Sequence, residues 1–255
     1  MVYSSPTPSP PADTAGYFNR VSSDWSDKYR HNRHFKDRLS IVLSWILQGA
    51  PAANNPQLLD FGCGSGVFVE ALVANGYSVT GVDASSGMID AARQMLQQRH
   101  PGASARYTLA VVDGQTWKGP YTQRLYDVIC CLGVLEYIED DGALLTHLSG
   151  LLNPGGFLVL SVPNRNSLLR SAESLIHRNP ALFKTLGLFP HLTGEDSYLH
   201  FQKHQYSLTD LTRVLSSQGL TLQKHRYHVT PGLLQPAENL AALGMTMIVL
   251  LRKNA

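Results

Sequence analysis

The chain has 255 residues, of which 44% are hydrophobic and 16% are charged, and its formal net charge is +2 at pH 7. That length and composition are ordinary for one globular domain with a well-buried core, or for one domain with insertions. A charge so close to zero gives no basic surface of the kind that binds phosphate backbones, so we expect no nucleic-acid partner. We also expect no membrane span and no secretory signal, because no apolar run is long enough for either.

The three cysteines lie in apolar or glycine-rich segments, at Cys63, Cys130 and Cys131. Neighbouring residues on a strand point to opposite faces of the sheet, so the Cys130–Cys131 pair predicts no disulfide framework. This pattern favours a reducing, cytoplasmic location. The oligomeric state is left open, a homodimer included.

The amino-terminal part of the chain divides into a tail and a helical cap. Residues 1–15 are rich in proline, serine and threonine and predict a disordered tail, followed by one domain over residues 16–255. Apolar residues recur at helical spacing within residues 16–48, which predicts a helical cap over a pocket. The cap also carries an aromatic and basic cluster, made of Tyr17, Phe18, Trp25, Tyr29, Arg30, Arg33 and Arg38.

Apolar strand patterns then alternate with helical patterns. The predicted strands are Gln57–Phe61, Ser78–Val82, Arg106–Val112, Tyr126–Leu132 and Phe157–Val162, and the helices between them are Val67–Asn75, Gly87–Gln98 and Gly142–Leu151. Such alternation implies right-handed crossovers and a parallel, Rossmann-like, doubly wound α/β sheet. After a helix over residues 207–219, Leu220–Val229 and Met245–Arg252 predict two more strands, which form an antiparallel edge and bring the sheet to seven.

Residues 163–206 interrupt the alternation of strands and helices, and the segment is too long for an ordinary loop. We expect an inserted helical lid there. Its second half, HLTGEDSYLHFQKHQY, is rich in histidine, tyrosine and acids. It is therefore the place where we look for a catalytic base and for acceptor-binding residues.

The stretch that carries chemistry is Leu58–Gly66, LLDFGCGSG, in which a strand runs into three glycines. Glycines let the chain turn sharply and let a ligand approach closely. Asp83 ends the next strand, where an acid accepts hydrogen bonds from ribose hydroxyls in nucleotide-binding folds. Both a nicotinamide dinucleotide and S-adenosylmethionine suit this outline.

Two details separate these cofactors. The glycines follow the spacing GxGxG, whereas the dinucleotide fingerprint is GxGxxG. Asp60 stands immediately before the loop, where a carboxylate would repel a diphosphate by a few kcal/mol. The same carboxylate suits a cofactor with an ammonium group, a sulfonium and no phosphate. The residues therefore favour S-adenosylmethionine.

Four ordered motifs over residues 57–165 strengthen this reading. LLDFGCGSG followed by GVDASSGMI resembles the class I S-adenosylmethionine-dependent methyltransferases, and DVICCLGVLEYIED and LLNPGGFLVLSVPN resemble the fourth- and fifth-strand motifs of that family. The overall pattern is similar to the small-molecule branch that includes the ubiquinone-biosynthesis O-methyltransferases. Tyr137 departs from the family, which often has histidine at that position.

The resemblance implies a cofactor site. Asp60 would bind the cofactor amino group, Asp83 the ribose hydroxyls and Asp113 the adenine amino group. The remaining implied cofactor contacts are Gly62, Gly64, Gly66, Ala84, Met88, Gly114, Leu132 and Gly133, with Tyr29 as a candidate to close over the cofactor.

The lid supplies the other candidates. His204, and then His200, are the predicted catalytic bases, while Tyr198 and Tyr206 are predicted to line the acceptor pocket. The two histidines are four residues apart and share a face if helical. A metal site would need a carboxylate partner pattern that this segment lacks, so no metal is expected.

The sequence therefore predicts an enzyme that transfers a methyl group from S-adenosylmethionine to a hydroxyl of a small, aromatic or natural-product-like molecule. N-methylation of a small amine and a non-catalytic cofactor-binding interaction module are the alternatives. A nicotinamide oxidoreductase is disfavoured by Asp60 and by the glycine spacing.

Overall fold

The computed structural model of the chain describes residues 13–49, 55–178, 201–228 and 241–255. Within two helices it describes the backbone alone at residues 24, 26–30, 173 and 176–178. The strands are β1 Gln57–Phe61, β2 Ser78–Asp83, β3 Tyr107–Val111, β4 Tyr126–Leu132, β5 Leu152–Pro163, β6 Leu220–His228 and β7 Thr246–Lys253. The helices are α1 Thr14–His31, α2 Arg33–Gly49, α3 Val67–Ala74, α4 Ser86–Arg99, α5 Asp141–Gly150, α6 Leu168–Arg178 and α7 Leu208–Ser217.

The strands form one seven-stranded sheet in the order β3-β2-β1-β4-β5-β7-β6. β7 runs antiparallel to both neighbours, and the other pairings are parallel. The predicted mostly parallel, doubly wound sheet and its antiparallel pair are therefore confirmed. The reversed strand is β7, second from the edge, which lies between β5 and β6.

Helices cover both faces of the sheet, which explains why the central strands are apolar throughout. On one face α5 and α7 contribute Leu144, Leu148 and Leu215 to the core. On the other face α2, α3 and α4 pack Val42, Val69 and Leu96 against the strands, among other apolar residues. This leaves the carboxyl-terminal edge of the strands as the natural place for a ligand.

The amino-terminal cap is two helices, whereas the apolar spacing predicts one continuous helical segment. The break lies at Asn32, whose Oδ1 accepts a hydrogen bond of 2.9 Å from the main-chain N–H of His34. Asparagine favours a helix start because its side chain can satisfy an N–H that the helix leaves open. The first helix begins at Thr14, inside the segment predicted as a tail, and residues 1–12 lie outside the described residues.

The described parts of the predicted lid are its two ends. Helix α6 follows β5, and residues 201–206 lead into α7. Residues 179–200, with the predicted site residues Tyr198 and His200, lie outside the described part of the chain. Among the described helices, none combines the length and the apolar character that crossing a membrane requires.

A substitution at Gly66 tests how tightly the glycine loop is packed. Gly66 has φ +79°, and a Cβ on it would stand 2.7 Å from the Cβ of Ala92 in α4. We expect Gly66→Ala to lower the free energy of unfolding by about 2–4 kcal/mol, since the left-handed backbone and the overpacking add. Urea unfolding would measure this. Gly102→Ala is the control, because no atom lies within 4 Å of its added Cβ, and equal effects at both positions would contradict the prediction.

Candidate functional site

A cavity of about 650 Å³ opens at the carboxyl-terminal edge of the sheet. Its floor is made by the residues that end or follow β1, β2 and β4, and α1 forms its roof. Its lining includes the predicted cofactor residues Gly62, Gly64, Asp83, Ala84, Met88, Gly114, Leu132 and Gly133. The structure therefore brings together residues from three of the four motifs and from the turn after β3.

The glycine loop is tied to β2 by its main chain. The N–H groups of Gly62 and Cys63 both donate to the carbonyl oxygen of Val82, at 2.7 and 2.9 Å. Gly62 and Gly64 face the cavity, whereas Gly66 lies outside its lining and packs against α4. Cys63 is buried and burial raises the pKa of its thiol, as expected for a residue that fills space in the loop.

Asp83 forms a hydrogen bond with the glycine loop and also lines the cavity. Its Oδ2 accepts a hydrogen bond from the N–H of Gly64 at 2.8 Å, and its Oδ1 accepts one from the N–H of Ser85 at 2.9 Å. Burial raises the pKa of this carboxyl, and the main-chain donors oppose that shift. Each carboxylate oxygen keeps acceptor capacity for a further donor, as two vicinal ribose hydroxyls would require.

The resemblance implies that Asp113 contacts the adenine amino group, but the structure places this residue away from the cavity. It is exposed and outside the cavity lining, and its Oδ1 accepts hydrogen bonds from the N–H groups of Gln115 and Thr116 at 2.9 and 2.6 Å. These bonds hold its pKa below the usual range. The carboxylate closes the turn after β3, so the cavity wall there is supplied by Gly114 and Gln115 instead.

Asp60 lies beside the cavity, buried to 3% exposure at the end of β1. It lines an adjoining space of about 20 Å³, room for a single water molecule, together with Gly62, Trp25 and Leu132. Burial, and then the charge of Asp83, raise the pKa of this carboxyl to about 7, while Arg38 opposes the shift. Among the described residues nothing hydrogen-bonds its Oδ2. A buried acid in this state fits a ligand that carries an ammonium group.

The roof of the cavity contains residues that the sequence motifs do not indicate. Phe18 and Trp25 of α1 line the cavity and contact each other edge to face, with ring centroids 5.2 Å apart. Asn19 anchors this helix, because its Oδ1 accepts hydrogen bonds from Ser85 Oγ at 2.8 Å and from the N–H of Gly87 at 2.9 Å. In the sequence, only the spacing of the aromatic residues in α1 indicated that this helix covers the cavity. No local pattern pointed to Asn19.

Of the predicted catalytic and acceptor residues, the structure describes His204 and Tyr206, and both lie outside the cavity lining. The ring Nε2 of His204 lies 3.3 Å from the carbonyl oxygen of Glu139. Tyr206 is buried, and its hydroxyl donates to Asp141 Oδ2 at 2.8 Å, so it connects the segment before α7 to α5. The structure therefore does not bring these two side chains to the cavity. The side chain of Tyr29 lies outside the described residues.

Part of the cavity lining is aromatic and apolar, and its rim is charged. Phe18 and Tyr137 meet edge to face at 5.7 Å, and Val134 and Ile138 complete this surface. On the rim Lys203 forms an ion pair with Glu139. In the part of the chain that is described, no three histidine, cysteine, aspartate or glutamate side chains are grouped to hold a metal ion.

The raised pKa of Asp60 predicts a pH-dependent stability. An acid whose folded pKa is raised binds its proton more tightly in the folded state, so the stability falls as the pH rises from about 4 through about 7. Asp60→Asn removes this penalty. We expect the variant to exceed the native chain in free energy of unfolding at pH 8 by about 1–4 kcal/mol, and to approach it at pH 4.

Urea unfolding at pH 4, 6 and 8 measures this difference. Asp90→Asn on the exposed face of α4 is the matched control, since Asp90 pairs with Arg93 in an exposed contact. A gap between Asp60→Asn and the native chain that stays constant with pH would contradict the assignment.

The Asn19 anchor predicts that the roof controls ligand retention. We expect Asn19→Ala to weaken binding of S-adenosylhomocysteine about tenfold, mainly through faster dissociation, because two hydrogen bonds that hold α1 over the cavity are lost. Stopped-flow fluorescence of the tryptophans would follow the dissociation. Asn75→Ala, at the far end of α3, is the control, and identical dissociation rates for both variants would refute the role of Asn19.

Comparison with known proteins agrees with this site. A model of the methyltransferase-domain family matches residues 28–225. The chain is 26% identical to the ubiquinone biosynthesis O-methyltransferase of Vibrio cholerae over 204 residues, which is 80% of this chain and 79% of the relative. It is 31% identical to the enzyme of that name from Serratia proteamaculans over 150 residues, covering 59% of this chain and 60% of the relative.

Solved structures share the fold. The magnesium protoporphyrin IX methyltransferase of Synechocystis, solved with S-adenosylhomocysteine bound, superposes with a TM-score of 0.67 at 22% identity over 94% of this chain and 98% of the other. The N-methyltransferase NodS of Bradyrhizobium japonicum, also with S-adenosylhomocysteine, gives 0.63 at 18% identity over 95% and 100%. With its glycine loop and its two acids around the cavity, the chain belongs to the S-adenosylmethionine-dependent methyltransferases.

Proposed function

We propose that this methyltransferase acts on a hydroxyl group of a small, aromatic or natural-product-like molecule. The observation that carries the proposal is the mixed lining of one cavity. Asp83 and the glycine loop contribute polar groups, and Phe18, Val134, Tyr137 and Ile138 contribute aromatic and apolar surface. A flat acceptor would pack on this apolar surface, next to Leu132 and Gly133.

The charges around this apolar surface favour a hydroxyl over an amine. Arg38 Nη1 lies only 3.1 Å from where a Cβ on Gly133 would stand, so a guanidinium group lies directly beside this cavity residue. The rim acids are already engaged, Glu139 with Lys203 and Asp140 with the N–H of Ala143 at 2.8 Å. A cationic amine would therefore meet the Arg38 guanidinium, and neither of these two rim carboxylates is spare to compensate it. The O-methyltransferase names of the relatives agree with this preference.

Different residues of this chain would bind the cofactor, exclude water and align the reactants for methyl transfer. The bound cofactor supplies a methyl group on a positively charged sulfur, which is a good leaving group. Asp60 would hold the cofactor ammonium group and Asp83 its ribose, since both carboxylates face the same end of the site. Phe18 and Trp25 would exclude water and present aromatic faces to the positive charge. Alignment of the two reactants is the main contribution, because positioning alone supplies several kcal/mol.

We further propose that residues 16–255 act as one domain and that residues 163–206 form a lid over the acceptor. The ends of this segment border the site: Lys203 lines the cavity, and α6 places Arg170 within the buried polar residues behind Gly133. A small molecule is then the expected partner, in keeping with the apolar surface of the cavity.

Calorimetric titration with S-adenosylhomocysteine, S-adenosylmethionine and NADH tests the cofactor assignment. We expect the first two ligands to bind and NADH not to bind. Asp83→Ala should weaken binding by about 10–100-fold, because hydrogen bonds to a charged group are worth about 1.5–3 kcal/mol. Asp90→Ala on α4 is the control and should match the native chain.

An acceptor panel then decides between oxygen and nitrogen. Phenols, catechols, aliphatic alcohols and primary amines are incubated with S-adenosylmethionine that carries a deuterated methyl group, and products are read by mass spectrometry. A labelled methyl ether supports the proposal. Methylation confined to the amines would overturn it in favour of N-methylation, and NADH binding alone would remove both.

A further inference from the structure

The cavity wall beside Asp83 is formed by the turn that follows β3. Three residues of this turn, Gly114, Gln115 and Trp117, belong to the cavity lining, and we call them the nucleoside wall. A Cβ on Gly114 would stand 3.4 Å from the Cβ of Ala84, so the turn lies directly against the residue that follows Asp83. A cofactor whose ribose is bound by Asp83 would therefore have this wall beside its nucleoside.

Trp117 holds an unusual main-chain conformation. Its φ angle is +51°, and the only other non-glycine residue with a positive φ in the described part of the chain is Asn55. Asparagine adopts the left-handed conformation readily, whereas a bulky side chain does so against steric repulsion. Strain of this kind persists only where surrounding contacts maintain it, and it is found disproportionately at ligand-binding sites. The contacts that maintain it at Trp117 are therefore of functional interest.

Two hydrogen bonds fix the main chain of Trp117. Its N–H donates to the carbonyl oxygen of Asp113 at 2.9 Å, which closes the turn within its own residues. Its carbonyl oxygen accepts a hydrogen bond from the hydroxyl of Tyr121, which lies in the short 3₁₀ helix Pro120–Gln123. The second bond comes from a side chain, so a single hydroxyl group secures the end of the nucleoside wall.

Tyr121 is itself held in place by its surroundings. It is only 2% exposed, and its ring packs against that of Phe61 with centroids 6.1 Å apart. Its hydroxyl oxygen also lies 3.1 Å from Nε2 of His147 in α5. Because the one hydroxyl proton is given to Trp117, His147 has to donate from Nε2. Burial lowers the pKa of His147, and a neutral imidazole with its proton on Nε2 satisfies that requirement.

We propose that Tyr121 is a positioning residue for the cofactor, and that its hydroxyl keeps Trp117 in the left-handed conformation from which the nucleoside wall takes its shape. Tyr121 does not belong to the cavity lining, so it acts through Trp117 and not by touching the cofactor. His147 supports this role by holding the hydroxyl oxygen. The inference concerns the cofactor alone, and it holds for a hydroxyl acceptor and for an amine acceptor.

Loss of the Tyr121 hydroxyl would free Trp117 to return to a negative φ. That rotation would shift the main chain between Asp113 and Trp117, from which the nucleoside wall is built. The ring of Tyr121 would stay in place, because it belongs to a hydrophobic cluster of the core that includes Phe61. The expected consequence is therefore local: the nucleoside part of the cofactor binds more weakly while the fold is retained.

The first test is calorimetric titration with S-adenosylhomocysteine and with methylthioadenosine, which has the same nucleoside but lacks the amino-acid part. We expect Tyr121→Phe to weaken binding of both ligands by about tenfold. Tyr126→Phe is the matched control, because this buried hydroxyl also donates to a main-chain carbonyl oxygen, that of Tyr121, at 2.9 Å. It should stay within about twofold of the native affinities. No loss in Tyr121→Phe, a loss confined to S-adenosylhomocysteine, or equal losses in the two variants would overturn the proposal.

The second test is a double-mutant cycle. Trp117→Gly adopts a positive φ without steric cost, so in this background the Tyr121 hydroxyl has little strain to oppose. We expect Tyr121→Phe to change the affinity for methylthioadenosine there by less than about twofold, whereas a loss as large as in the native background contradicts the mechanism. Trp117→Asn is a second background, since asparagine also tolerates this conformation.

Cooperative urea unfolding of each variant shows that it has folded. Both tests measure cofactor binding alone. A failure of the proposed O-methylation in the acceptor panel is therefore distinguishable from a failure of the role assigned to Tyr121.

Discussion

The site depends on the attachment of the glycine loop to the end of β2. Val82 accepts two hydrogen bonds from the loop through its carbonyl oxygen, and Asp83 accepts one from Gly64 through its side chain. These bonds hold the main chain of the loop open toward the cavity, and they place Asp83 at the edge where a ribose would lie. The positive φ angles that this path needs fall on Gly62, Gly64 and Gly66, and glycine adopts them without steric cost.

A second constraint is electrostatic and centres on Arg38. This one guanidinium acts on two buried acids, since it opposes the upward pKa shifts of both Asp60 and Glu136. Asp60 borders the small space beside the glycine loop, and Glu136 lies near Gly133, so one buried cation acts on acids from two different segments.

The roof and the floor of the cavity come from distant parts of the chain, and a few polar contacts hold them in position relative to each other. Asn19 connects α1 to the start of α4, and Lys203 connects the lid end to Glu139. Such contacts involve exposed or half-exposed groups and are individually weak.

The sequence by itself determined the sheet, the glycine loop and the acids that end β1 and β2. Strand and helix periods are local properties of the chain, and parallel order follows from the alternation of these elements. The motif positions Gly62, Gly64, Asp83 and Leu132 are correspondingly found around one cavity. The sequence did not predict the break at Asn32, because the apolar spacing continues across it. Only the hydrogen bond to His34 shows where one helix ends.

Only the tertiary structure decided which polar residues near the site face a ligand. His204 and Tyr206 have side chains that suit catalysis, but packing turns them toward Glu139 and Asp141, and Asp113 closes its own turn. Glu136 and Arg38 are brought to the same side of Gly133 from positions almost a hundred residues apart. Burial and charge from non-neighbouring segments set their ionisation, and such environments have no signature in local sequence.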